Sequence, residues 1–203
     1  MMTTNLEQSK LSRHLDLGCG SNPRNPYYAD EVHVVDIYKS PLLNSEVIFK
    51  NANLSLEKIP YEDDYFDFVS AYDFIEHIPR ILNENKTTRF PFIDLMNEIH
   101  RVLKPSGIFY AQTPAFPSPE AFQDPTHVNF ITQRTHKYFC GSAPRAMVYG
   151  FVGKFEARTV RWINGNDLIE NQNTLIRIKN HLLKILGIRK NTHLIWELKS
   201  IKN

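Results

Sequence analysis

The chain has 203 residues, with 24 Lys and Arg against 22 Asp and Glu and a formal net charge of +2. This balance offers no electrostatic basis for a nucleic-acid partner, and no apolar run approaches the roughly 20 residues that cross a bilayer. Cys19 and Cys140 are too few for a disulfide framework, and the first ten residues resemble no secretory signal, so we expect a cytoplasmic protein.

Strand-like and helix-like segments alternate along the chain, which predicts βαβ units and a mainly parallel sheet. The seven predicted strands lie at residues 13–17, 32–37, 46–50, 66–71, 108–112, 155–163 and 193–201. Residues 21–30 are rich in Pro and Asn, so any helix between the first two strands is expected to be short. The length fits a single domain with a sizeable core.

The clearest predicted helix covers residues 91–103. Pro91 suits a first helical turn, and Pro105 with Gly107 ends the helix. Its apolar residues recur at the 3.6-residue spacing of one buried stripe, which consists of Phe92, Leu95, Met96, Ile99, Val102 and Leu103.

Three other segments have weaker patterns. A short helix is expected at residues 133–140, whereas four prolines predict a stiff loop without regular structure at residues 113–127. A further helix is predicted at residues 172–187, and the stretch 172–190 is basic and amphipathic. Such a helix either covers the sheet with its charges solvated, which is the more common case, or makes a peripheral contact with an anionic membrane.

The segment Leu15–Gly20 ends the first predicted strand in a Gly-x-Gly turn. Gly18 and Gly20 let the backbone turn sharply and let a ligand approach it closely, as in nucleotide-type cofactor loops. NAD is disfavoured, because Pro23 stands where the dinucleotide fingerprint has its third glycine. Asp16 adds a carboxylate near the ligand, which suits a cationic group better than a diphosphate. The alternative is a tight turn that holds no ligand.

Four sequence blocks occur in order and together carry a family resemblance. They are LDLGCG (15–20), VVDI (34–37), FDFVSAYDFIEHI (66–78) and MNEIHRVLKPSGIFY (96–110). The chain resembles the class I S-adenosylmethionine-dependent methyltransferases, in the small-molecule type subgroup with Glu-His after the fourth strand. This resemblance implies an α/β fold, a Rossmann-like three-layer sandwich with a mainly parallel seven-stranded sheet. It divides the single domain into a cofactor-binding core (11–115), a substrate loop or lid (116–150) and C-terminal strands with a helix (151–203).

The resemblance also implies which residues bind S-adenosylmethionine. The glycine turn lies under the methionine part, where Asp16 serves the ammonium group, and Asp36 accepts hydrogen bonds from the ribose diol. Asn53 stands where the family often has an acidic residue facing the adenine amino group, and Asn51 is a competing candidate. The predicted cofactor residues are Asp16, Gly18, Cys19, Gly20, Asp36, Ile37, Asn53, Leu54 and Tyr72.

Two histidines are candidate general bases, because an imidazole titrates near neutral pH. His127 is the first choice, since Asp124 three residues before it could orient the imidazole while it takes a proton from an acceptor hydroxyl or amine. His77 of the Glu-His pair is the second choice. The alternatives are an ordinary Asp-Pro turn and a pair that braces its loop. A metal site of His77, Asp124 and His127 is disfavoured because the spacing of metal ligands is missing.

The sequence therefore predicts in-line methyl transfer from S-adenosylmethionine to an O or N nucleophile of a small molecule or sugar, with no metal. An acceptor that is already an anion would need no base. Two alternatives stay open. One is a methyltransferase with a quinone, lipid or protein acceptor, which an apolar tunnel lined by Phe116, Phe122 and Phe130 would mark. The other is a methyltransferase-like binding or scaffold protein without turnover.

Overall fold

The computed structural model describes residues 11–84, 86–165 and 191–202. Its strands are β1 (Arg13–Leu17), β2 (Glu31–Asp36), β3 (Ile48–Asn51), β4 (Phe66–Tyr72), β5 (Leu82–Glu84), β6 (Thr87–Arg89), β7 (Leu103–Pro114), β8 (Phe155–Ile163) and β9 (His193–Ser200). The α-helices of this part of the chain are α1 (Pro91–Val102) and the single turn α2 (Glu120–Gln123). Short 3-10 helices lie at Ile75–His77, Thr135–Tyr138 and Arg145–Tyr149.

Seven strands form one sheet in the order β3-β2-β1-β4-β7-β9-β8, and β5 pairs with β6 in a separate hairpin. The first five strands of that order are parallel, and β9 runs antiparallel to both of its neighbours. The prediction of a Rossmann-like α/β fold with a mainly parallel seven-stranded sheet is confirmed. The hairpin escaped prediction because its strands, Leu-Asn-Glu and Thr-Thr-Arg, are short and have no alternating apolar pattern.

The direction in which the strands are added changes between β1 and β4. From β1 the chain moves outward through β2 to β3, and it then returns to β4 on the other side of β1. Leu17 near the end of β1 lies opposite Val35 of β2 and Ala71 of β4, so the three strands end side by side. In an open parallel sheet this switch leaves a crevice at the carboxyl ends of the strands, where ligands bind.

Helix α1 packs the predicted apolar stripe into the core. Its buried side chains are Pro91, Phe92, Leu95, Met96, Ile99 and Val102. The helix ends one residue earlier than predicted, because Leu103 has an extended backbone with ψ of 139° and leads directly into β7. The burial of this stripe ties the helix to the sheet that carries the site.

The predictions for the two proline-rich segments have different outcomes. Residues 21–30 contain no helix, which agrees with the expectation that any helix there would be short, and Tyr27 stacks on Phe68 of β4 with ring centroids 4.4 Å apart. Residues 113–127 were predicted to lack regular structure, which is wrong: β7 continues through Pro114 and α2 occupies Glu120–Gln123. Prolines are compatible with both elements, because Pro114 is the last residue of β7 and Pro119 precedes the first turn of α2.

The remaining predictions concern the C-terminal half. The short helix expected at 133–140 is the 3-10 helix Thr135–Tyr138, and the last two predicted strands correspond to β8 and β9. The helix predicted at 172–187 and the membrane contact suggested for 172–190 lie outside the described residues. In the part of the chain that is described, no helix is long and apolar enough to cross a membrane.

The stripe on α1 yields a test of the core. We expect Ile99→Ala, at a site with 0% exposure, to lower the free energy of unfolding by about 2–5 kcal/mol, because it removes buried methyl groups and leaves a cavity. Ile93→Ala on the same helix is the matched control with a smaller expected loss, since Ile93 is only partly buried. Urea unfolding of both variants measures the difference, and equal losses would contradict this packing.

Candidate functional site

A cleft of about 390 Å³ opens at the carboxyl ends of β1, β2 and β4. Its lining includes six of the residues predicted to bind the cofactor or to act in catalysis, and they are Gly18, Asp36, Ile37, Asn53, Leu54 and His77. A larger cavity of about 740 Å³ lies at the amino ends of the strands, beside Tyr65 and Arg101. The smaller cleft is the candidate site, because it coincides with the topological switch point and with the glycine turn.

Both glycines of the turn have left-handed backbones, with φ of +65° at Gly18 and +56° at Gly20. The Gly18 N–H donates to the carbonyl of Val35 at 2.9 Å, which extends the pairing of β1 with β2 into the turn. A Cβ on Gly18 would lie 2.2 Å from Cδ2 of Phe74, whereas a Cβ on Gly20 would meet nothing within 4 Å. Gly18 is therefore required by conformation and by packing, and Gly20 by conformation alone.

Asp16 lies beneath the turn with an exposed fraction of 1%. Its carboxylate accepts hydrogen bonds from the Ser70 hydroxyl at 2.5 Å and from the Arg24 backbone N–H at 2.8 Å. Burial raises the pKa of Asp16 to about 7. It lines a hollow of about 150 Å³ beside the main cleft, together with Cys19 and Tyr72. The structure thus places its carboxylate where a cationic group would favour the ionised form.

Cys19 and Tyr72 have different surroundings in this hollow. Burial raises the pKa of the Cys19 thiol to about 12, which leaves it protonated and unreactive as a nucleophile. The Arg24 guanidinium lies 5.0 Å from the centroid of the Tyr72 ring. Both residues therefore shape the hollow without supplying reactive groups.

Asp36 closes β2 at the rim of the cleft. Its Oδ2 accepts a hydrogen bond from the Gly20 N–H at 2.9 Å, and its Oδ1 faces the Tyr38 N–H at 3.4 Å. A carboxylate has about four acceptor positions, so these bonds leave capacity for a diol. The first contact also links the two loops predicted to bind the cofactor.

The two amide side chains that are candidates for the adenine contact have different surroundings in the structure. The Asn51 side chain donates to the backbone carbonyls of Asp36 and Ile37 at 3.2 and 2.6 Å, so it braces the end of β2. Asn53 lines the cleft, and its side-chain oxygen accepts from the Ser55 N–H at 3.1 Å. Asn53 is therefore the better placed of the two.

The 3-10 turn Ile75–His77, which brings His77 to the cleft, is hydrogen-bonded to the loop that follows α2. The Val128 and Asn129 N–H groups both donate to the Glu76 carbonyl at 2.9 Å, and the Asn129 side chain donates to the Ile75 carbonyl at 3.0 Å. These bonds bring the His127 ring against the His77 ring, with centroids 4.8 Å apart at 74°. The two candidate bases, 50 positions apart in the chain, thus form a pair.

The Asp124 carboxylate reaches the His77 ring through Thr126, whereas no side-chain hydrogen bond joins Asp124 to His127 among the described residues. The Thr126 hydroxyl donates to the Asp124 carboxylate at 2.6 Å and lies 2.9 Å from Nδ1 of His77. Because the single hydroxyl proton goes to the carboxylate, the hydroxyl oxygen accepts the Nδ1 proton of His77 and leaves its Nε2 with a free lone pair. The sequence missed Thr126, since an intervening hydroxyl has no signature in spacing.

Glu76 is an unusual member of this group, because its carboxyl is almost fully buried, with 1% exposure. Oε2 accepts from the Thr113 hydroxyl at 3.0 Å, while Oε1 has no hydrogen-bond partner among the described residues. Burial raises the pKa of Glu76 to about 8 and lowers the pKa of His77 below its ordinary value. Glu76, His77 and His127 each offer one ligand atom, and these three atoms lie within 4.8 Å of one another.

The aromatic residues considered as a tunnel form an open patch instead. Phe116, Phe122 and Phe130 are 54%, 49% and 41% exposed. The Phe122 ring contacts both of the others, with centroid distances of 6.3 Å to Phe116 and 4.8 Å to Phe130. All three lie on the segment after β7, and their exposure shows that they do not line an enclosed tunnel.

Known proteins are similar to this chain in two respects: the sequence of its first part and its fold. A family model described as a methyltransferase domain matches residues 15–111. A comparison with curated proteins gives no match.

Several solved structures share the fold. An S-adenosylmethionine-dependent methyltransferase from Mesorhizobium loti has 15% sequence identity and a TM-score of 0.54, over 92% of this chain and 90% of its own. One from Archaeoglobus fulgidus has 16% identity and a TM-score of 0.54, over 93% and 86%. A methyltransferase in complex with the Haloferax volcanii Trm112 methyltransferase activator has 13% identity and a TM-score of 0.58, over 95% and 84%.

The glycine turn can be tested by stability alone. We expect Gly20→Ala to lower the free energy of unfolding by about 1–2 kcal/mol, because alanine is strained at positive φ. Gly18→Ala should lower it by about 1–3 kcal/mol more, since the added methyl also collides with Phe74. Urea unfolding of both variants, and of Gly18→Ala combined with Phe74→Ala, measures this difference. An undiminished penalty in the double-mutant cycle would refute the contact.

Proposed function

We propose that this chain is a class I S-adenosylmethionine-dependent methyltransferase and that it transfers the methyl group to a hydroxyl or amine of a small molecule or sugar. The observation that carries the proposal is the position of His77, which lines the same cleft as Gly18 and Asp36. One cleft therefore holds cofactor-binding groups on one wall and a candidate proton acceptor on the other. In-line transfer needs such an arrangement, because the acceptor must stand close to the methyl group.

The cleft residues fit the cofactor in size and chemistry. A volume of about 390 Å³ is within the range of small-ligand sites, and the missing Cβ of Gly18 leaves the wall close to the backbone. In our proposal Asp16 faces the ammonium group, Asp36 binds the ribose diol, and Asn53 meets the adenine between the apolar side chains of Ile37 and Leu54. Cys19, Gly20 and Tyr72 complete the hollow around the methionine part. When bound, S-adenosylmethionine supplies an activated methyl group.

His77 is the first candidate for the base, ahead of His127. The Asp124–Thr126 pair holds its Nδ1, so its Nε2 is free to accept a proton from the acceptor. Burial keeps His77 neutral near pH 7 by lowering its pKa, and a neutral imidazole is the form that accepts a proton. His127 packs against the His77 ring and remains the second candidate.

Three finer features belong to the same proposal. Residues 116–150 would form the acceptor loop of the single domain, after the cofactor core of 11–115 and before the C-terminal strands. The protein would work in the cytoplasm without a nucleic-acid partner, in keeping with its near-neutral charge and two free cysteines. A lipid or quinone acceptor is the second candidate, and the exposed aromatic patch of Phe116, Phe122 and Phe130 supports it.

Release of S-adenosylhomocysteine tests the proposed function. The protein is incubated with S-adenosylmethionine and separate panels of sugars, phenols, amines and quinols, and the product is quantified. Turnover confined to the polar panels supports the main proposal, and turnover confined to quinols supports the second candidate. Binding of the cofactor with no turnover on any panel would favour a binding or scaffold role.

Asp36 gives a direct test of cofactor binding. We expect Asp36→Ala to weaken the affinity for S-adenosylhomocysteine by roughly 10- to 150-fold, because hydrogen bonds to a charged acceptor contribute about 1.5–3 kcal/mol. Asp94→Ala, at an exposed position on α1, is the control and should leave affinity unchanged. Isothermal titration calorimetry measures both, with NAD as a ligand that should not bind. Unchanged affinity in Asp36→Ala would rule out the ribose assignment.

The base is tested on whichever acceptor supports turnover. We expect His77→Gln to lower kcat by about 10²–10⁴-fold and His127→Gln to lower it less. In the native protein kcat should rise with pH through an apparent pKa below about 6.5, because the base must be neutral, and His77→Gln should lose this limb. Full activity in His77→Gln would instead indicate an acceptor that is already ionised.

A further inference from the structure

We propose that Glu76, His77 and His127 form a binding site for one divalent transition-metal ion beside the cofactor cleft. One ligand atom from each residue lies within 4.8 Å of the other two. Two imidazoles and one carboxylate are the protein ligands of many catalytic zinc sites, which keep a further position open. Metal–ligand bonds of about 2.0–2.2 Å place the ligand atoms of a tetrahedral site roughly 3.4 Å apart. Side-chain rotations that move these atoms by about 1 Å would therefore bring all three into bonding distance of one ion.

Two buried atoms of this cluster lack the partners that burial demands. Oε1 of Glu76 and Nδ1 of His127 are both buried and have no hydrogen-bond partner among the described residues. Glu76 is 1% exposed, so its carboxyl lies out of contact with bulk solvent. An unpaired buried polar atom is destabilising, and buried carboxylates are usually paired or bind a cation. A single cation between them would satisfy both atoms.

The surroundings of His77 prepare it as a ligand. Metal-bound histidines commonly donate their other ring N–H to an oxygen that fixes the tautomer. Here the Thr126 hydroxyl, itself held by the Asp124 carboxylate, accepts the Nδ1 proton and directs the Nε2 lone pair outward. The two N–H bonds to the Glu76 carbonyl hold the loop that carries His127 against the same turn. The cluster is therefore built by local hydrogen bonds and does not depend on the ion for its assembly.

The donor set selects the kind of ion. Imidazole nitrogens favour Zn²⁺, Cu²⁺, Fe²⁺ and Ni²⁺, whereas Mg²⁺ and Ca²⁺ favour oxygen ligands. The chain spacing alone disfavoured a metal, because Glu76 and His77 are adjacent and His127 is 50 positions away from His77. The bonds between the 75–77 turn and the loop after α2 make the three ligands neighbours.

The role of the ion rests on the proposed function. His77 lines the cofactor cleft, so an ion at its Nε2 would stand where the acceptor enters. An open position on the ion would bind an acceptor hydroxyl and lower its pKa, which favours a hydroxyl-bearing acceptor over an amine. The ligand and base roles of His77 exclude each other at any one time, because both use the same lone pair.

Metal titration of untagged protein tests the site without reference to activity. The protein is freed of metal with EDTA, dialysed, and titrated with Co²⁺ and Zn²⁺ by visible absorption and calorimetry. We expect one equivalent to bind, with affinity at least 10-fold weaker in Glu76→Gln and in His127→Gln. His100→Gln, which alters a histidine on α1 bound to the Ile201 carbonyl, is the control and should bind as the native protein does.

Several outcomes would overturn the site. One is the absence of stoichiometric metal binding by the native protein. Another is metal binding that is unchanged in Glu76→Gln and His127→Gln. S-adenosylhomocysteine affinity, measured on the same variants, shows that they are folded. Metal binding without methyl transfer would refute the proposed function and leave the site standing. Full turnover in metal-free protein that binds no ion would refute the site and leave the function standing.

Discussion

The parallel pairing of β1 with β2 on one side and with β4 on the other is the constraint on which the site depends. Parallel strands that end side by side send their following loops to the same edge of the sheet. The glycine turn, Asp36 and the 75–77 turn therefore meet in one cleft. Gly18 links two of these loops, because its N–H bonds to Val35 and its missing side chain makes room for Phe74.

The second constraint is the attachment of the loop after α2 to the turn after β4. Two backbone N–H groups share the Glu76 carbonyl, and Asn129 adds a side-chain bond to Ile75. Backbone groups buried in such a contact must find partners, so the two segments hold one register relative to each other. That register brings the rings of His77 and His127 into contact. It also places the Thr126 hydroxyl against Nδ1 of His77, with the Asp124 carboxylate bonded to Thr126.

Two buried carboxyls lie near the cleft, Asp16 beneath the glycine turn and Glu76 in the 75–77 turn, and their bonding differs. Asp16 has a donor on each oxygen, from Ser70 and from the Arg24 backbone, so it is held in place without a ligand. Glu76 has a donor on one oxygen only. Removal of a carboxyl from water thus has two results: the acid at the glycine turn has its hydrogen bonds satisfied, and the acid at the 75–77 turn does not.

The sequence by itself determined the parallel sheet, the buried stripe of α1 and the glycine turn, because each depends on local periodicity or on one residue's backbone freedom. The places of Asp16, Asp36 and Asn53 at the cleft were also predictable, since residues at strand ends follow from strand order. Only the tertiary structure decided that Asn51 braces β2, that Asp124 reaches His77 through Thr126, and that Glu76 joins the two histidines. These contacts cross up to about 50 positions of chain and depend on loop hydrogen bonds, which leave no periodic trace in the sequence.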